Sequence, residues 1–157
     1  MPGSRKFTRP EAECYTALEE RERDLLAQEL ERGRVDLEVL HLCRTLNAIP
    51  GIVTNGSCSG HGKEPLTIWF YARSLRCLYP LARCLDRRYG GPLSWRCEVQ
   101  DTDLPDRSIC FLLHSGRVRG RNAWHQAEIL ATAIDAFMAN AAFRDAFGLD
   151  PPVRTVL

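Results

Sequence analysis

The sequence predicts an α+β domain in which one mainly antiparallel sheet of about four strands packs against helices, and three observations carry that expectation. Turn-bounded segments rich in β-branched and aromatic residues occur in two pairs. Stretches with apolar residues at three- and four-residue spacing lie before, between and after them. The order is helix, helix, strand, strand, helix, strand, strand, helix, not the strict strand–helix alternation of a parallel sheet.

Residues 11–32 carry Tyr15, Leu18, Leu25, Leu26 and Leu30 at helical spacing, with Thr8 and Glu11 as a capping box and Gly33 as the stop. Val35 to Asn47 repeats the pattern through Val39, Leu42, Cys43 and Leu46, with Asp36 near the positive N-terminal end. These segments make an N-terminal helical pair, and Pro50-Gly51 closes it. Ile52 to Asn55 reads as a short strand entering a loop, and Leu66 to Ala72 as the next strand. Residues 73–88 return to helical spacing, although Pro80 removes a backbone donor there. Leu93 to Val99 and Ser108 to His114 form a second strand pair, and residues 122–147 a long C-terminal helix capped by Asn122 and apolar nearly all round.

A length of 157 residues suits one domain, divided into an N-terminal helix over 1–33, an α/β core over 34–150 and a tail over 151–157. The apolar share of 45% and charged share of 26% are those of a folded globular chain. No apolar run approaches the roughly 20 residues needed to cross a bilayer, and the first residues do not resemble a secretory signal. No membrane partner and a cytoplasmic location are therefore expected. The seven cysteines, an odd number, are expected to be free thiols. A net charge of +1 excludes a protein-wide attraction to nucleic acid and leaves only local patches.

The chemistry concentrates in Thr54 to Lys63, where three glycines, hydroxyls, a thiol, an imidazole and an ammonium fall within ten residues. Glycines let the backbone approach a ligand, consecutive amides can form a nest for an anion, and Lys63 adds a point charge. Ser57, Cys58, Ser59, Gly60, His61 and Lys63 are the candidate binding residues of this loop. The spacing misses the P-loop pattern, and Glu64 stands where a hydroxyl is required. A second donor-rich segment, Arg117-Val118-Arg119-Gly120-Arg121, precedes the last helix, so Arg117, Arg119 and Arg121 join the candidate set as a second wall. Trp69, Tyr71, Trp95 and Trp124 are candidates to cover a base. Cys58 and His61 have a ligand-compatible spacing, with His114, Cys97 or Cys110 as further donors. No second clean pair accompanies them, and no metal is expected. No catalytic residue is identifiable.

The Ser57 to Gly60 segment, taken with Asp36, Asn47 and Thr54, resembles the signature of the methyltransferases that perform the third step of wybutosine synthesis on phenylalanine tRNA. The likeness covers about residues 35–72. It departs from the family at Gly56, which replaces a serine, and at His61, which replaces an arginine. The resemblance implies S-adenosylmethionine as cofactor and a tRNA guanosine derivative as substrate, although no basic stripe for a whole tRNA is evident. The residues themselves point to a protein that binds, senses or sequesters a small phosphorylated or nucleotide-like ligand. A third reading is an interaction module in which the last helix packs against another copy to form a homo-oligomer.

Overall fold

The computed structural model describes residues 35–92, 94–101 and 109–140, together with Asp24, Gln28, Arg32 and Gly33. The expected helix over 11–32, the polar segment 102–108, the end of the last helix and the tail lie outside the described residues. Asp24 and Gln28 are helical, and Gly33 takes the left-handed φ of 64° that suits a helix stop.

The α+β architecture is as the sequence predicts. Helix α1 (Leu37–Ala48) leads into β1 (Ile52–Cys58), which turns through a single 3-10 turn into β2 (Pro65–Ala72). A second 3-10 turn, a short α2 (Tyr79–Leu85) and a third 3-10 turn precede β3 (Arg96–Asp101), β4 (Ile109–Arg119) and the long α3 (Gly120–Ala139). The sheet order is β1-β2-β4-β3, with every neighbouring pair antiparallel.

Alternation along β2 puts Leu66, Ile68, Phe70 and Ala72 on the helix-covered face. Phe111 and Leu113 of β4 join them, and Phe70 stacks on Phe111 with ring centroids 5.4 Å apart. Against this face α1 sets Val39, Leu42 and Leu46, and α3 sets Ala127, Leu130, Ala131 and Ile134, all at 1% exposure or less. Removing a fully buried ring such as that of Phe70 costs about 3–5 kcal/mol.

The differences from expectation have local causes. Both strands bordering the site are longer than the turn residues within them suggest. In β1 the register slips between Thr54 and Gly56, a bulge at Asn55 whose amide donates to the Tyr71 hydroxyl at 2.9 Å, and the strand continues to Cys58. In β4 the Ser115 hydroxyl accepts from the Leu66 amide at 3.0 Å and donates to the Val118 carbonyl at 2.6 Å. Gly116 adopts a φ of 64°, where a side chain would collide with the Ser94 carbonyl. The strand thus bends without ending and runs to Arg119.

Residues 73–88 are not one helix, because Pro80 is tolerated only in the first turn of a helix and α2 begins at Tyr79. Strand β3 starts at Arg96, since Trp95 is drawn into the core with its indole donating to Gln126 of α3 at 2.8 Å. Helix α3 starts at Gly120 and is not capped by Asn122. Its buried residues lie on one side, while Glu128 and Asp135 are exposed.

Those two carboxylates hold His41 of α1, at 2.6 Å for Glu128 and 2.9 Å for Asp135. The Asp135 hydrogen bond raises the imidazole's pKa above its ordinary value, burial works against this, and Glu128 adds to the rise. A raised folded value means that the contribution is fully present below the unfolded value of about 6.5 and is lost as pH rises through the higher folded one. Urea midpoints should therefore fall across the region above about pH 6.5, and His41→Asn should flatten that part of the profile.

Candidate functional site

The candidate loop is the β1–β2 connection and the last two residues of β1. Ser59 accepts the His61 amide on its hydroxyl at 3.3 Å and so caps the Gly60–Gly62 turn. Gly60 has a φ of 75°, and a Cβ there would lie 3.0 Å from the Pro65 backbone, so the turn needs glycine. His61 has a φ of 47° and is the one described non-glycine residue with a positive φ. Such a conformation costs an L-residue roughly 1–2 kcal/mol.

The expected nest of amides awaiting an anion is filled by the chain itself. The Ser59 amide donates to the Asp36 carboxylate at 2.8 Å, the Gly60 amide to the Cys58 sulfur at 3.4 Å, and the Lys63 and Glu64 amides to the Gly60 carbonyl at 2.9 Å each. Burial opposes ionisation of Asp36, but the Ser59 amide and hydroxyl, with the charge of His61, outweigh it and hold the pKa below the ordinary carboxylate value. Asp36 is the residue before α1 and accepts the Val39 amide on its backbone carbonyl at 3.1 Å, but its side chain does not cap the helix and bonds instead 23 residues further on.

The second wall does meet the loop. The register pairs Pro65 with Arg119, whose guanidinium donates to the Lys63 carbonyl at 3.0 Å. A Cβ on Gly120 would lie 3.5 Å from Cα of Gly62, so the start of α3 runs directly beside the turn. One turn further along α3, the Trp124 indole donates to the Ser59 carbonyl at 2.9 Å. Arg117 and Arg121 flank Arg119 in the chain, and both are exposed, as are His61 and Lys63. The Arg segment is thus the end of β4 and the start of α3, not a turn. The remaining polar contacts are internal: Asn47 of α1 donates to the Thr54 hydroxyl at 2.9 Å and accepts the Thr54 amide at 2.8 Å. The Ser57 hydroxyl bonds the Cys43 thiol, whose pKa burial nevertheless pushes up to about 11.

Of the aromatic candidates, Trp124 bonds the turn itself, while Tyr71 accepts the Asn55 side-chain amide earlier in β1. Trp95 is core, while Trp69 and Tyr71 are half-buried on β2. The donors grouped with Cys58 and His61 from the sequence do not join them. His114 stands two strands from Cys58 in register, through Thr67, and lies 3.3 Å from Glu98. The third donor is instead Asp36, and potential ligand atoms of Asp36, Cys58 and His61 all lie within 4.8 Å of one another. No spacing rule ties Asp36 to a loop so far away, and in the sequence the two are grouped by the family resemblance alone.

No family model matches the chain, and no curated protein matches it. Among solved structures it is similar to the PH1069 protein from Pyrococcus horikoshii, with 13% sequence identity and a TM-score of 0.47 over 78% of this chain and 88% of that one. Among the described residues no helix is long and apolar enough to cross a membrane.

Asp36→Ala leaves the amide of Ser59, a residue only 2% exposed, without its partner. The expected cost is about 1–3 kcal/mol at neutral pH. Because the folded pKa of Asp36 is lowered, its contribution is present above the unfolded value of about 3.9 and lost as pH falls through the folded one. Chemical denaturation of both proteins should show the difference shrinking towards acid.

Proposed function

We propose that this chain is a cytoplasmic binding protein for a small phosphorylated or nucleotide-like ligand, held where the Ser57–Lys63 loop meets the β4–α3 junction. The observation that carries this reading is the hydrogen bond from Arg119 to the Lys63 carbonyl, which joins the two cationic segments at one end of the central strands. Since the amides of Ser59, Gly60 and Lys63 are spent internally, an anionic group is met by the side chains of Lys63, Arg117, Arg119 and Arg121, with α3 beginning beside them. The half-buried indole of Trp124 lies along the same junction as an apolar surface for a base.

In a second reading the ligand is S-adenosylmethionine and the chain is a methyltransferase of the wybutosine type acting on a tRNA base or nucleotide. What favours it is the way the residues of the resemblance bond to one another. Asp36 holds Ser59, and Asn47 exchanges two hydrogen bonds with Thr54, so the signature positions form one connected unit.

A thermal-shift series with adenine nucleotides, cyclic nucleotides and S-adenosylmethionine tests both, because a ligand that binds only the folded state raises the melting temperature. A nucleotide response is expected to weaken roughly 10-fold or more in Lys63→Gln and in Arg121→Gln, the loss of one charge-assisted contact each. A response to S-adenosylmethionine selects the methyltransferase reading. A response unchanged by both substitutions removes the site assignment, and silence across the series removes both readings.

A further inference from the structure

We propose that Asp36, Cys58 and His61 form a binding site for one divalent transition-metal ion of the zinc class. The three side chains come from two separate places, the residue before α1 and the end of β1 with its turn, and offer an oxygen, a sulfur and a nitrogen within 4.8 Å of one another. Four-coordinate zinc, with bonds of about 2.0–2.3 Å, holds such donors about 3.4–3.6 Å apart. The His61 Nε2 to Asp36 distance is 4.0 Å, and the His61 side chain is 73% exposed, so the imidazole has room to turn towards the other two donors.

Three features of the backbone suit this use. The Gly60 amide donates to the Cys58 sulfur at 3.4 Å and so fixes its place beside the turn. The Ser59 amide fixes one carboxylate oxygen of Asp36, a supporting hydrogen bond of the kind that orients metal ligands. The left-handed backbone of His61, costly for any residue with a side chain, sets the imidazole on the Asp36 side of the turn. Neither the connection nor the hydrogen bonding of the turn needs a histidine there, since glycine takes the same φ without strain.

The chemistry selects the ion. A mixed sulfur, nitrogen and oxygen set disfavours Ca²⁺ and Mg²⁺, which take oxygen ligands, and suits Zn²⁺ or Co²⁺. On binding, the Cys58 thiol gives its proton to the buffer and the imidazole binds neutral, so carboxylate and thiolate together balance the two positive charges. Three protein donors leave a fourth position for water. The site does not rest on the nucleotide reading, and it is tested without any nucleotide present.

The full chain, stripped of metal and kept reduced, is titrated with Co²⁺. The expected result is one equivalent bound, with a thiolate-to-cobalt charge-transfer band in the near ultraviolet and displacement by Zn²⁺. The band is lost in Cys58→Ser and retained in Cys84→Ser, which removes a half-exposed thiol on α2. His61→Gly separates the metal role from a structural one. It should bind Co²⁺ at least 10-fold more weakly while raising the melting temperature of the metal-free protein by about 2–4 °C, because the strain at φ 47° is relieved. A band absent from the wild-type chain, or one that survives Cys58→Ser in folded protein, overturns the site. Unchanged Co²⁺ affinity in His61→Gly overturns the assignment of that ligand.

Discussion

The fold hangs on how the six residues from Ser59 to Glu64 satisfy their own polar groups. Ser59 is 2% exposed, and an amide or carbonyl left unpaired at such depth costs about 1–3 kcal/mol. The Ser59 amide reaches Asp36 ahead of α1, and its carbonyl receives the Trp124 indole of α3. The Lys63 carbonyl takes a guanidinium from the end of β4. One turn therefore fixes where one helix begins, how a second lies, and where a central strand stops. Repacking either helix would leave a group of the buried Ser59 without its partner, and moving the end of β4 would free the Lys63 carbonyl.

The same logic pins α1 at both ends. Asp36 bonds Ser59 and Asn47 bonds Thr54, so a helix and a strand running in opposite directions are tied at two points. Eleven residues of helix span about 16.5 Å at a rise of 1.5 Å each. The facing stretch from Thr54 to Ser59 carries the Asn55 bulge and ends one residue past β1. Leu42, Cys43 and Leu46 are thereby held over the sheet in one register, and their burial at 1% exposure or less depends on it. At the other edge of α1, His41 between Glu128 and Asp135 ties α1 to α3 on the exposed side of their contact.

Elements governed by short-range pattern were legible in the sequence. Alternation gave β2 to within a residue, and the apolar spacing gave α1 to within two at each end. Illegible were the features in which a turn-like residue is absorbed by a distant partner. Gly56 and Gly116 look like strand ends, yet the Asn55 bulge and the Ser115 hydroxyl carry β1 and β4 past them. Proximity of the loop to the arginine segment follows from that hidden extension of β4, since a strand stopping at His114 would leave Arg119 in a free turn. By spacing, Asp36 reads as an acidic residue before a helix, and only the family resemblance groups it with the loop. Its role depends on a chain reversal that no local spacing encodes.

This division has a consequence for the proposed ligand. In the nests that hold phosphate groups, backbone amides supply much of the attraction and are rigid before the ligand arrives. Here the amides of Ser59, Gly60, Lys63 and Glu64 are already committed, so attraction to an anion falls to exposed Lys and Arg side chains, whose ordering carries an entropic cost. Shape then resides in the backbone of the turn and charge in the arms around it. At the proposed site, changes at Gly60 or Asp36 would alter the fold as well as binding, whereas changes at Lys63 or Arg121 would alter binding with little effect on stability. Arg119 belongs to both groups, because its guanidinium is at once a cation of the junction and the donor that secures the Lys63 carbonyl.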